Sequence, residues 1–82
     1  MSSRLSPSAV ETITYTTALD YDVNGNLIYQ GQAVPGSAKS AAVWKIKKFT
    51  YDGSSNLTDI QFADGNNDFD NIWNNRASLN YS

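Results

Sequence analysis

The feature that most constrains this chain is the alternation of Val43–Tyr51, closed by a turn and answered by Leu57–Ala63. Trp44 and Ile46 fall on one face and Val43, Lys45 and Lys47 on the other, the period of two that a strand imposes. At Lys48 the pattern slips, because Phe49 and Tyr51 lie on the lysine face, which implies burial on both sides or a bulge. Asp52-Gly53-Ser54-Ser55-Asn56 reads as the turn. Ile60 and Phe62 share a face of the returning strand, and contact of Trp44 or Ile46 with Ile60 or Phe62 is the expected centre of the core. The stretch Ala42–Arg76 holds both tryptophans and all three phenylalanines, so the core must be built around it.

The flanks follow the same logic. Thr12–Thr16 alternates, with Ile13 and Tyr15 opposite the threonines, and Leu19, Tyr21 and Val23 continue the pattern with Asp20 and Asp22 facing away. Asn24-Gly25 predicts a two-residue type I′ turn, which needs positive φ at both central residues, so Leu19–Gln30 reads as a hairpin. Gly31–Ser40, with Pro35-Gly36, reads as a loop. Asp64-Gly65-Asn66-Asn67 breaks the second hairpin. Asp68 then caps a short helical turn near 68–74, with Phe69, Ile72 and Trp73 at i, i+3 and i+4. Ala77, Leu79 and Tyr81 alternate and predict a closing strand. Residues 1–10, small, polar and interrupted by Pro7, read as an arm that is flexible or bound to a partner, ahead of one β domain over 11–82. The expected fold is all-β: a small antiparallel sandwich or barrel of about five to seven strands.

Composition narrows the function. The chain has 82 residues, no cysteine and no histidine. It therefore has no disulfide, no thiolate and no imidazole, and its stability must come from packing, hydrogen bonds or partner subunits. A net charge of −2 gives no electrostatic reason to bind nucleic acid, and Lys45, Lys47 and Lys48 beside Trp44 and Phe49 are too short a run to change that. Charged residues are 17% of the chain, below the usual quarter or so. The polar surface is made instead of Ser, Thr, Asn and Gln, which suits close repeated packing. No apolar run reaches the roughly 20 residues of a membrane span, and no secretory leader is legible at the start, so synthesis in a reducing cytoplasm is expected.

Oxygen-rich clusters supply the candidate metal ligands. Asp20, Asp22 and Asn24 stand at positions 1, 3 and 5 of a calcium-loop pattern with Gly25 at 6, but position 12 is Gly31 and not a bidentate glutamate. A plain hairpin turn accounts for the same residues. Asp64, Asp68 and Asp70, with Asn66, Asn67 and Asn71, form a second cluster, for which Asx side chains bonding backbone amides are the simpler account. No cofactor and no enzyme activity are expected, since paired carboxylates alone in so small a chain offer no cleft. Two stretches are alike, Tyr21-Asp22 to Asn26-Leu27 and Tyr51-Asp52 to Asn56-Leu57, and two copies do not make a repeat array.

Over Gly31–Tyr81 the sequence resembles a family of small virion structural proteins of tailed bacteriophages, many of them marine. The resemblance is carried by Gly36-Ser37-Ala38-Lys39-Ser40, Ala42-Val43-Trp44-Lys45-Ile46-Lys47, Ala63-Asp64-Gly65, Phe69, and Ile72-Trp73-Asn74-Asn75-Arg76-Ala77-Ser78-Leu79-Asn80-Tyr81. Asn74 departs from the pattern, which has aspartate there. The resemblance implies a capsid decoration or tail- or fibre-associated subunit, located in the virion, with itself and other virion proteins as partners; on the charge and hydropathy above, neither nucleic acid nor membrane is expected as a partner. A host-surface glycan bound through Tyr, Trp, Asn and Asp side chains is the alternative. Trp44, Phe62, Asp64, Trp73, Arg76 and Tyr81 are the expected structural and interface residues. Arg76 is expected to clamp Asp64, Asp68 or backbone carbonyls, since its planar fork fits either.

Overall fold

The computed structural model describes residues 14–82. The arm expected over 1–10 and the strand start expected at Thr12 and Ile13 lie outside those residues. The described chain is all-β and mostly antiparallel: β1 Thr16–Tyr21, β2 Leu27–Ala33, β3 Ala42–Tyr51, β4 Leu57–Phe62 and β5 Asn71–Ile72, followed by a 3-10 helix, Trp73–Ser78. The sheet order is β1-β2-β3-β4, with β5 pairing β3. The sheet is open: neither barrel closure nor a second stacked sheet is seen among the described residues.

β3 is the spine. Its residues 45–48 pair with β2 and its residues 47–51 with β4. The β4 side continues through the Ala63 amide, which donates to the Ile46 carbonyl at 3.0 Å, and then through β5 at Ala42 and Trp44. Both hairpin connections are longer than the two-residue turn expected at Asn24-Gly25. The Gly25 amide donates to the Asp22 carbonyl at 3.1 Å and the Asp22 amide to the Asn26 carbonyl at 2.9 Å. Gly25 alone of the central residues has positive φ, 85°. This is a type I turn followed by a left-handed residue. The reason is Asp22, whose carboxylate accepts the amides of Asn24 and Asn26, both at 2.9 Å, and so stabilises the longer loop.

The β3–β4 turn is built the same way. Asp52 accepts the amides of Ser54 at 2.8 Å and Asn56 at 3.0 Å, and Ser55 takes the left-handed position with φ 64°. The likeness extends along the strands. Adding 30 to the first ladder, Thr17↔Gln32, Ala18↔Gly31, Leu19↔Gln30, Asp20↔Tyr29 and Tyr21↔Leu27, reproduces the second: Lys47↔Phe62, Lys48↔Gln61, Phe49↔Ile60, Thr50↔Asp59 and Tyr51↔Leu57. The register shifts also correspond, at Asp20/Tyr21 and Thr50/Tyr51. The fold is thus one hairpin used twice, and the likeness of Tyr21–Leu27 to Tyr51–Leu57 is a structural repeat.

The core lies on one face of the sheet and consists of Ala18, Ala33, Trp44, Ile46, Ala63 and Trp73, with Tyr29, Leu79 and Tyr81 packed at its edge. This corrects the expected centre. Ile60 is opposite Phe49 and Phe62 opposite Lys47, so both lie on the other face from Trp44 and Ile46, and Ile60 is 48% exposed. Leu19 and Tyr21 share that open face, with Leu19 also 48% exposed, while Asp20 points to the covered one. The physical reason is room. Ala18, Gly31, Ala33 and Ala63 leave a shallow floor on one face, and only that face accepts two indoles.

Candidate functional site

The covered face is closed by the C-terminal segment, and most of the residues singled out from sequence meet there. Trp44 and Trp73 pack with ring centroids 6.0 Å apart, tilted by 41°, a favourable aromatic geometry. The Trp44 indole N–H donates to the Ala38 carbonyl at 2.9 Å, and the Asn74 amide to the Lys39 carbonyl at 3.1 Å. The loop before β3 therefore holds one tryptophan and the start of the helix that carries the other.

The helix starts later than the i, i+3, i+4 spacing predicts. Ile72 has extended backbone and pairs with Ala42, so the helix begins at Trp73, after the expected 68–74 turn is nearly over. Asp68 does not cap it. The Asp68 amide instead donates to the Asn66 side chain at 3.0 Å in an Asx turn. Phe69 lies over Tyr15, centroids 4.9 Å apart, with Lys45 Nζ 5.5 Å from its ring centre. The one-turn spacing predicts a shared helical face; the strand pair β3–β5 overrides it.

Arg76 sits at the middle of the cap. Its Nε donates to Asp20 Oδ2 at 3.0 Å, its Nη1 to the Trp73 carbonyl at 3.2 Å, and its guanidinium lies 4.5 Å from the Trp73 ring centre. The carboxylate it clamps is thus Asp20 and neither Asp64 nor Asp68. The pair is about one-third exposed, so it contributes no more than about 1 kcal/mol, and its value is positional. The Tyr81 hydroxyl donates to the Arg76 carbonyl at 2.8 Å. Burial pushes the Tyr81 phenol well above the usual tyrosine range, with nearby Tyr29 adding to the shift, so it remains a neutral donor. Lys48 Nζ lies 5.8 Å from the Tyr81 ring centre. Around Tyr81 the chain ends as a single bridge to Ala63, flanked by paired bonds of Ser82 with Phe62, and Ala77 belongs to the helix and not to the strand expected there.

The candidate metal ligands are not brought together. Asp20 turns to Arg76, while Asp22 uses its carboxylate on its own turn amides, beside Asn24. Asp64, Asp68 and Asp70 are exposed on the excursion between β4 and β5. Asp64 and Gly65 both have positive φ, 59° and 70°, which turns the chain out of the sheet. No group of three or more metal-binding side chains occurs among the described residues. The three lysines are also separated: Lys45 and Lys47 lie over Phe69 and Phe62 on the open face, and Lys48 lies on the covered one. Phe62, Gly65, Asn66 and Asn67 line a shallow, open recess of about 290 Å³. Asn71 is buried beside Trp44, and its side-chain nitrogen has no partner among the described residues.

Sequence reasoning missed Gly31. It lies beneath both tryptophan rings, where any side chain would collide with them. A glycine inside an otherwise regular strand is itself the signal of a close approach. No family model, curated protein or solved structure matches this chain.

Proposed function

We propose that this chain is a structural subunit of a tailed-bacteriophage virion, a capsid decoration or tail- or fibre-associated protein that acts through self-assembly and not catalysis. What supports it is where the family-like residues lie. Trp44, Trp73, Arg76 and Tyr81 contact one another, and the Ala38 and Lys39 carbonyls and Ala63 tie down the same cluster. The residues that carry the resemblance thus build a scaffold that locks a cap to a sheet. Leu19, Tyr21, Val43, Leu57, Ile60 and Phe69 are left exposed, more apolar surface than a cap-building role explains. The deciding experiment is mass spectrometry of purified particles with an image that locates the subunit. Its presence in many copies per particle is expected; its abundance in the lysate with absence from particles would overturn the proposal.

A second reading has one observation behind it. The recess beside Phe62 offers an aromatic ring and the amides of Asn66 and Asn67, the chemistry that holds a sugar ring. A glycan array probed with the wild-type chain and Phe62→Ala would separate the two. Binding lost in the variant, by a chain that stays monomeric, would favour glycan recognition.

A further inference from the structure

We infer that copies of this chain join head to tail through strand pairing, the outer edge of β4 in one copy receiving β1 of the next. The inference rests on the self-assembly reading above and specifies its surfaces. Its basis is the 30-residue repeat. Inside the chain, the first hairpin meets the second through β2 and β3, with Tyr29↔Lys48, Gln30↔Lys47, Gly31↔Ile46 and Gln32↔Lys45. β4 is the repeat equivalent of β2, and β1 that of β3. The chain therefore presents, unjoined among its described residues, the same two edges that it joins internally.

Carrying the internal register across gives Asp59 opposite Ala18 of the next copy, Ile60 opposite Thr17 and Gln61 opposite Thr16. The hydrogen-bonding parity agrees. Phe62 turns its N–H and C=O away from β3, bonding Ser82 at 3.0 and 3.1 Å, so by alternation Ile60 and Thr58 also face outward. On β1 the equivalent outward residues are Thr17 and Leu19. The side chains agree as well. Ile60 and Leu19, each 48% exposed, come onto the same face of the extended sheet as diagonal neighbours. Asp59 meets a neutral Ala18, and Asp20 is already held by Arg76. Ser82 on Phe62 stops the ladder short of a fourth pair, which keeps the junction short and reversible. Because the two edges differ, the contact is heterologous and extends until a ring closes or a filament forms.

The test is sedimentation velocity over a concentration series on the full chain. Thr17→Pro and Ile60→Pro each remove an outward amide, at edges where proline is tolerated. The wild type is expected to form a concentration-dependent series. Each proline variant is expected to sediment as a folded monomer by circular dichroism. An equal mixture of the two is expected to form a dimer and nothing larger, since one supplies an intact β4 edge and the other an intact β1 edge. Thr17→Lys and Ile60→Lys repeat the test without changing the backbone, because edge lysines also block pairing. Wild type that stays monomeric overturns the inference. Variants at Thr17 and Ile60 that assemble as well as the wild type overturn it too, while leaving the virion role intact; absence from particles removes that role independently.

Discussion

Replacing Gly31 with alanine puts a methyl group where the two tryptophans meet. A Cβ built there lies 2.5 Å from Trp73 Cε3, 2.8 Å from Trp73 Cζ3 and 3.1 Å from Trp44 Cε3. Ordinary carbon contacts lie at about 3.5–4.0 Å, so the Trp73 ring must lift by roughly 1 Å. It has little freedom to do so, since Trp44 packs against it on one side and the Arg76 guanidinium lies on its face. Overpacking of this kind costs about 1–3 kcal/mol. Alanine also restricts the unfolded chain, which offsets roughly 0.4–1 kcal/mol. A net loss of about 1–2 kcal/mol is expected, or a Tm lower by roughly 4–16 °C in a domain of this size. Thermal and urea unfolding followed by tryptophan fluorescence measure it directly. Trp73→Phe removes both clashing atoms, so it must be less damaging in the Gly31→Ala background than in the wild type, with a coupling of about 0.5–3 kcal/mol. A Gly31→Ala protein that melts at or above the wild-type temperature, or strict additivity of the two changes, would refute the packing reasoning.

Three further outcomes are expected. Trp44→Ala removes a fully buried indole and is expected to cost about 3–5 kcal/mol by urea unfolding, enough to threaten folding of so small a core. Ser55→Gly relieves a left-handed residue that Gly25 occupies in the first hairpin, and is expected to raise stability by about 0.5–1 kcal/mol; an unchanged Tm would count against the turn assignment. Alkaline stability depends on Tyr81, whose folded phenol titrates above its unfolded value. The sign is therefore a loss of stability as pH rises past the unfolded tyrosine value of about 10. In a pH series of melts, Tyr81→Phe should flatten that decline; an identical decline in both proteins would assign it elsewhere.

The hairpins were legible because their causes are local. The Asp and Asn residues that close each turn sit within five positions of one another, and period-two alternation marks the strands around them. Which face becomes the core was not legible from alternation alone. Alternation says that Trp44 and Ile46 share a face, and that Ile60 and Phe62 share one, but not that the two pairs lie back to back. That depends on the pairing Lys47↔Phe62 and on the small residues Ala18, Gly31, Ala33 and Ala63, which carry almost no hydrophobic signal. Arg76 was recognisable as a clamp, yet its carboxylate lies 56 positions away, a distance over which no spacing rule operates.

The repeat also explains why the sheet stops where it does. Leu19-Asp20-Tyr21 and Phe49-Thr50-Tyr51 are followed, 30 residues on, by Leu79-Asn80-Tyr81, which keeps their pattern of two apolar residues around a polar one. Strict repetition of Tyr29↔Lys48 would set Ser78 opposite Asp59 and carry Tyr81 along β4 toward the turn. Instead Ser78 ends a helix and Tyr81 bridges Ala63. The cause is Trp73, which must reach the floor at Gly31 on the covered face. A chain that leaves the sheet plane to place that indole, and rises through a 3-10 helix, re-enters beside β4 only at its far end. The cap that completes the core thus stands where a strictly repeated strand would run. Among the described residues, Thr58 to Gln61 are left with an unclaimed edge, the one that the contact proposed above would fill with β1 of another copy.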